Sequence, residues 1–280
     1  MKRLVDNVIL GASWNYTSNQ LNIFVKSWKM YCKDTRLIMI MSPKTDDKTI
    51  SWLSSHGVET HIGRENTEYQ LFPRGRYAPA NINYSRYFKY YEILYENCGN
   101  FKNVFLTDVR DVAFQGDIFE LINDPTLHCF IEDQRYTIGT TEFNNIAMRI
   151  QYGEKIAKQF DHLPIICSGT TLGDYKSIIE YVSCIMNQRQ LNYGVKKHMI
   201  DVNCAGLDQA MHMYILHKNM IRNIKHENGD GVATMGIMNS EDITILPNKK
   251  VAVYNNKIAP VIHQWDRHES IEMYLKNLYV

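Results

Sequence analysis

The chain has 280 residues, with 31 Lys and Arg against 30 Asp and Glu, a formal net charge of +1. That balance excludes the broad basic face by which proteins hold nucleic acid. With 45% hydrophobic and 22% charged residues, the composition is that of a folded domain and excludes a disordered chain. No run approaches the roughly 18 apolar residues of a membrane helix, and the N-terminal stretch lacks the apolar core of a signal peptide. Both point to a cytoplasmic protein with no membrane span. Cys32, Cys98, Cys129, Cys167, Cys184 and Cys204 are scattered, with no CxxC pair. That argues against a thiolate zinc site and for free thiols in a reducing compartment.

The first half alternates strand and helix signals. Val8 to Leu10 is an apolar run ending at Gly11. Leu21, Phe24, Val25, Trp28 and Cys32 recur at the spacing of one helix face. Leu37 to Met41 reads as a buried parallel strand. A short helix through Ile50 to Leu53 and a strand over Val58 to Ile62 follow. Residues 63–80 are polar and punctuated by Pro73, Gly75 and Pro79, which predicts a long functional loop. Tyr84, Tyr87, Phe88, Tyr91, Leu94 and Tyr95 outline a helix, with Asn81 or Asn83 as its N-cap. Arg86 lies off that stripe. Val104 to Leu106 is then a strand.

The second half is less regular. A helix near 153–160, a short strand from Pro164 to Cys167, and helices through Ile178 to Met186 and Leu207 to Ile215 are predicted. Short strands at 243–246, 251–254 and 260–262 precede an amphipathic helix through Ile271 to Leu278. The pattern predicts one α/β domain over 1–280, a mostly parallel mixed sheet flanked by helices. The regular half covers about residues 1–115 and the less regular half about 116–280.

The sharpest feature is Val104-Phe105-Leu106-Thr107-Asp108-Val109-Arg110-Asp111. Two carboxylates follow the carboxyl end of an apolar strand, the edge where open α/β sheets bind ligands. Carboxylates three apart on a bend can converge on a hard cation. The plainer alternative is a capping Asp beside an Asp–Arg pair. No GxxxxGK[ST] and no GxGxxG after the first strand occur, which excludes a P-loop kinase and a dinucleotide oxidoreductase.

This segment resembles the metal-binding aspartate motif of GT-A nucleotide-sugar glycosyltransferases, with Arg110 where many members carry the second Asp. The resemblance implies a GT-A-like (Rossmann-like) fold, a UDP-sugar donor and a divalent ion, Mn²⁺ or Mg²⁺. Asp111 and His263 would hold the ion, and Asp108 would face it or the ribose. Arg110 either pairs with Asp111 or offers charge to the diphosphate. Three more segments resemble the family in the same order. Gly11-Ala12-Ser13 matches the loop holding the base, with Trp14 or Tyr16 stacking on it. Cys167-Ser168-Gly169 matches the segment lining the sugar pocket. Gly206-Leu207-Asp208-Gln209 matches a helix start beside the donor sugar. There Asp208 would act as general base or bond sugar hydroxyls; Asp133 and Asp161 are weaker bases.

By the same resemblance Arg86 and Arg267 would reach the diphosphate, although Arg267 could instead pair with Asp266. Tyr77, Tyr84, Tyr136 and Trp265 are candidates for stacking on the acceptor, an oligosaccharide or glycoprotein glycan. The run Thr107 to Gln115 is most similar to transferases of algae and large algal viruses, which implies UDP-xylose as donor and a fucose-bearing acceptor. A metal-dependent nucleotidyltransferase or phosphoesterase, and a non-catalytic glycan-binding protein, are the rival classes.

Overall fold

The computed structural model describes residues 5–63, 82–192 and 206–279. In chain order the elements are β1 (Val5–Ser13), α1 (Ser18–Tyr31), β2 (Arg36–Met41), α2 (Asp47–Ser55), β3 (Glu59–Ile62), α3 (Ile82–Glu96), β4 (Phe101–Thr107) and β5 (Val112–Phe114). There follow β6 (Leu127–Ile131), α4 (Glu142–Tyr152), α5 (Glu154–Ala157), β7 (Ile166–Asp174), α6 (Tyr175–Asn192), α7 (Leu207–His217) and β8 (Asn223–His226). The last are β9 (Val232–Thr234), β10 (Ile243–Ile245), β11 (Val251–Val253), β12 (Val261–His263) and α8 (Glu269–Tyr279).

Seven strands form the main sheet in the order β3-β2-β1-β4-β7-β6-β8. The pairs β3–β2–β1–β4 are parallel, β7 runs antiparallel between β4 and β6, and β8 is parallel to β6. The period-2 alternation of strand side chains is visible in the packing. Val8, Leu10, Val104 and Leu106 face one core, under α3, α6 and α7, while Ile9 and Phe105 face the other, under α1 and α2. A small sheet, β5-β12-β9, packs with α8 around a third core.

Five of the seven sheet strands and most helices lie near where the periodicity puts them, while β8 and the short β5 and β9 of the small sheet were not anticipated. β6 and α4 were not anticipated: β6 reads Leu-His-Cys-Phe-Ile, nearly all buried and broken by His128, so no alternation marks it. β7 continues through Ser168 and Gly169 to Asp174, because both its neighbours bond it as a central strand. The buried side of α3 carries Tyr87, Tyr90, Ile93 and Leu94, and Tyr95 is 68% exposed. Asn83 lies inside α3 and Asn81 outside the described residues.

Part of the tyrosine excess is core. Tyr87 and Tyr181 share a hydroxyl contact of 3.3 Å, and the Tyr181 hydroxyl shares a hydrogen bond of 2.6 Å with His212 Nδ1. Burial holds the His212 imidazole down from 6.5 to about 3. An unfolded chain takes that proton near 6.5 and the folded core does not, so stability falls as pH drops below 6.5. The slope is about 1.4 kcal/mol per pH unit. Glu132, whose carboxyl burial pushes up to about 7, works in the opposite sense over the same range, so the slope is read as the native-minus-His212→Gln difference in urea unfolding between pH 6.5 and 4.5. An unchanged slope in that variant would contradict the assignment.

Cys32, Cys129 and Cys167 are buried free thiols, Cys184 is half-buried and Cys98 exposed, while Cys204 lies outside the described residues. No described helix is long and apolar enough to cross a membrane.

Candidate functional site

Two strand pairings build the site. Thr107 of β4 pairs with Thr170 of β7, and the next amide, Asp108 N–H, donates to Gly169 O at 2.8 Å. Val112 of β5 pairs with His263 of β12, and Gln264 N–H donates to Asp111 O at 2.8 Å. The bend between these pairings brings the Asp108 and Asp111 carboxylates to one imidazole. His263 Nε2 lies 3.5 Å from Asp108 Oδ2 and 3.9 Å from Asp111 Oδ1. Gly11 of β1 admits the bend, since a Cβ there would stand 2.3 Å from Val109 Cγ1.

Burial, with Asp108 and Asp266 adding to it, pushes the Asp111 carboxyl up despite His263 and Arg110. Asp108 goes the other way: Arg86 and His263 overcome burial and hold it well below the usual carboxylate range. Burial opposes charge on His263, yet the Cys167 sulphur and the two carboxylates keep its imidazole well above the ordinary value.

A second layer joins this cluster to α7. The Arg86 guanidinium, 6% exposed, forms ion pairs with Asp108 and, at 3.3 Å, with Asp208 Oδ2. The Ser168 hydroxyl donates to Asp208 at 3.3 Å. Gln209 accepts from Ser168 N–H at 2.7 Å and donates to Ile166 O at 2.9 Å, tying the start of α7 to β7. Burial and the nearby Asp108 push the Asp208 carboxyl up against the pull of Arg86. A carboxyl raised in this way is closer to the affinity a general base needs.

The outer rim is cationic. Arg110 forms an ion pair with Asp266 at 2.8 Å, donates to Asp111 at 3.4 Å, and lies close enough to Tyr16 to interact with its hydroxyl. Arg267 is exposed and pairs with Asp266 at 3.1 Å. Ser13, at the end of β1, is fully buried with its hydroxyl unpartnered, and Ala12 is half-buried beside it.

Two solved structures of galactosyltransferase LgtC superpose on this chain. One, in complex with donor and acceptor sugar analogs, has a TM-score of 0.56 at 13% identity, covering 98% of this chain and 96% of that one. The other, an active-site mutant with glutamine replaced by glutamate, has a TM-score of 0.55 at 13% identity, covering 97% and 95%. The fold is GT-A. No protein-family model matches the sequence, and no curated protein matches it either.

On this GT-A frame, the residues fit a divalent ion. Asp108, Asp111 and His263 each offer one ligand atom, all within 4.8 Å of one another, the one such group among the described residues. Two hard oxygens and a neutral imidazole suit Mn²⁺. His263 is fully buried, and its Nε2 has no hydrogen-bond partner. Gly169 leaves the space: a Cβ there would lie 2.5 Å from His263 Cε1 and 2.6 Å from Asp108 Oδ2. Gly169→Ala should therefore weaken Mn²⁺ binding at least tenfold, read as the loss of Mn²⁺-dependent thermal stabilisation. Unchanged Mn²⁺ affinity in that variant would contradict the geometry.

Gly11, Asp108, Asp111, Ser168, Gly169, Asp208, Gln209 and His263 thus gather around one sheet edge. Arg86 differs from its expected solvated or phosphate-facing position, because it is itself buried and its terminal nitrogens are committed to the half-buried Asp108 and the buried Asp208. Trp265 is a core residue at 5% exposure, so it is no stacking platform, and Tyr136 also packs on a core. Asp133 and Asp161 are held in pairs with Arg135 and Arg149. Tyr77 and the side chain of Tyr84 lie outside the described residues, as does most of the 63–80 loop. The residue missed by sequence reasoning is Glu132. It is 6% exposed and lies beside Cys167, and burial pushes its carboxyl up to about 7. Its signal was the strand it follows, and that strand has no legible alternation.

Proposed function

We propose that this chain is a nucleotide-sugar glycosyltransferase in which Asp108, Asp111 and His263 hold Mn²⁺ or Mg²⁺ against the donor diphosphate. The observation that carries the reading is that carboxylate–imidazole cluster, with an unpartnered Nε2, at the carboxyl edge of a GT-A sheet. When bound, the ion supplies charge neutralisation for the departing nucleoside diphosphate. The residues around it take roles from their positions. Gly11, Ala12, Ser13 and Tyr16 contact the nucleoside, and Arg110 and Arg267 turn toward the diphosphate from their present carboxylate partners. Arg86 orients Asp108 and Asp208 in place of meeting phosphate itself. Ser168, Gly169 and Gln209 line the donor sugar. Asp208 bonds a sugar hydroxyl or removes the proton of the attacking acceptor hydroxyl. Residues 1–115 form the nucleotide-binding half, and 116–280 complete the donor site from the other side while forming the acceptor half.

The sugar analogs bound by the galactosyltransferase support a sugar donor and a glycan acceptor here. The narrower choice of UDP-xylose and a fucose-bearing glycan rests on the run Thr107 to Gln115. The test is incubation with UDP-xylose and a panel of other UDP-sugars, Mn²⁺ and fucosylated acceptors. UDP release with a new glycosidic product supports the proposal, while release of pyrophosphate would assign a nucleotidyltransferase. Arg110 in the midst of the acidic motif favours one rival, a glycan-binding protein without turnover. Donor binding with no product across the panel would establish that rival.

A further inference from the structure

The two nitrogens of His263 have different surroundings. Nε2 faces Asp108 and Asp111, and Nδ1 lies 3.5 Å from Cys167 Sγ. Beside the sulphur, just past the end of the neighbouring strand β6, stands Glu132, whose carboxyl is close enough to interact with both Cys167 and His263. The backbone fixes this stack: β6 pairs with β7 through Ile131 and Ile166, and Glu132 N–H donates to Ile165 O at 2.9 Å. Both Glu132 and Cys167 are buried.

An imidazole nitrogen that ligates a cation must carry no proton, so the ring proton has to sit on the other nitrogen and find an acceptor there. Cys167 sulphur is the partner within reach of Nδ1. Sulphur is a weak acceptor and a thiol a weak donor. A carboxyl that takes the S–H proton in a hydrogen bond leaves the sulphur lone pairs aimed back at the ring. A carboxyl buried at this depth is costly unless it has such a partner.

We propose that Glu132 and Cys167 are positioning residues that hold His263 in the tautomer presenting a bare Nε2 to the cation site. In this chain of bonds Nδ1–H donates to Cys167 Sγ, and the Cys167 S–H donates to Glu132. No covalent step is involved. The inference rests on the reading that Asp108, Asp111 and His263 bind a divalent ion, and its test separates the two.

The experiment measures Mn²⁺ affinity of the full chain by the paramagnetic resonance signal of free Mn²⁺, alongside the thermal midpoint of the metal-free protein. Four variants are compared with the native protein. Cys167→Ala and Glu132→Leu remove the chain of bonds and should weaken Mn²⁺ binding 10–100-fold. Cys167→Ser and Glu132→Gln keep an acceptor at each place and should stay within about threefold of native. A purely structural role would lower the thermal midpoint and leave affinity alone. Native Mn²⁺ affinity in Cys167→Ala and Glu132→Leu overturns the inference by itself, as does equal loss in all four variants. Failure of the native protein to bind Mn²⁺ overturns the metal reading, and the inference with it.

Discussion

Asp111→Asn is expected to lower the transfer rate about a thousandfold, roughly 4 kcal/mol of transition-state stabilisation, while the metal-free protein keeps or gains stability. The two halves of that result have one cause. Asp111 is 7% exposed, and burial pushes its carboxyl up, with Asp108 and Asp266 adding like charge. An ionised Asp111 therefore costs folding energy without a cation to offset it. Asparagine keeps the shape and removes the charge. The thermal midpoint without metal should stay level or rise, and the extra stabilisation that Mn²⁺ gives the native protein should disappear. Native activity in Asp111→Asn with Mn²⁺ present would remove this residue from the site. A midpoint lowered by 10 °C or more without metal would show that Asp111 is a structural residue instead.

Arg86→Ala is expected to destabilise the protein by about 3–5 kcal/mol, the cost of leaving buried charges without a partner. Arg86 stands between Asp108 and Asp208, each of which raises the other's proton affinity once the guanidinium is gone. For a chain of this size the thermal midpoint should fall by about 10 °C. Arg86→Lys should recover only part of the loss, because an ammonium lacks the planar fork that meets two carboxylates at once. Adding Asp208→Asn to Arg86→Ala should restore part of the stability, since one of the two stranded charges is then absent. A double variant no more stable than the single one would show that the loss comes from packing of the arginine stem, not from charge.

Much of the fold could be read from residue patterns, and the reasons differ along the chain. β1, β2 and β4 are apolar runs bounded by turn residues, and α1, α6 and α7 keep a helical stripe, so their periods stand out. β5, β6 and β9 do not: three to five residues buried on both faces carry no alternation. Of the site, the acidic motif and His263 were legible as residue types beside strand ends. Their convergence was not, because it depends on the antiparallel pairing of β5 with β12, which joins residues about 150 apart. Arg86 shows the limit most clearly. Its helical position predicts solvent exposure, and only the approach of α7, bringing Asp208, makes it a buried bridge. The polar stack of Glu132, Cys167 and His263 draws on three separate strands and has no local signature.

The proposed role of the Asp108–Asp111–His263 cluster is to bind a nucleoside diphosphate through a divalent ion. Calorimetric titration of UDP into the native protein, with Mn²⁺ and then with chelator, tests it most directly. Saturable UDP binding is expected with Mn²⁺, at least tenfold weaker or absent with chelator and in Asp111→Asn. Equal UDP affinity with Mn²⁺, with chelator and in Asp111→Asn would contradict it.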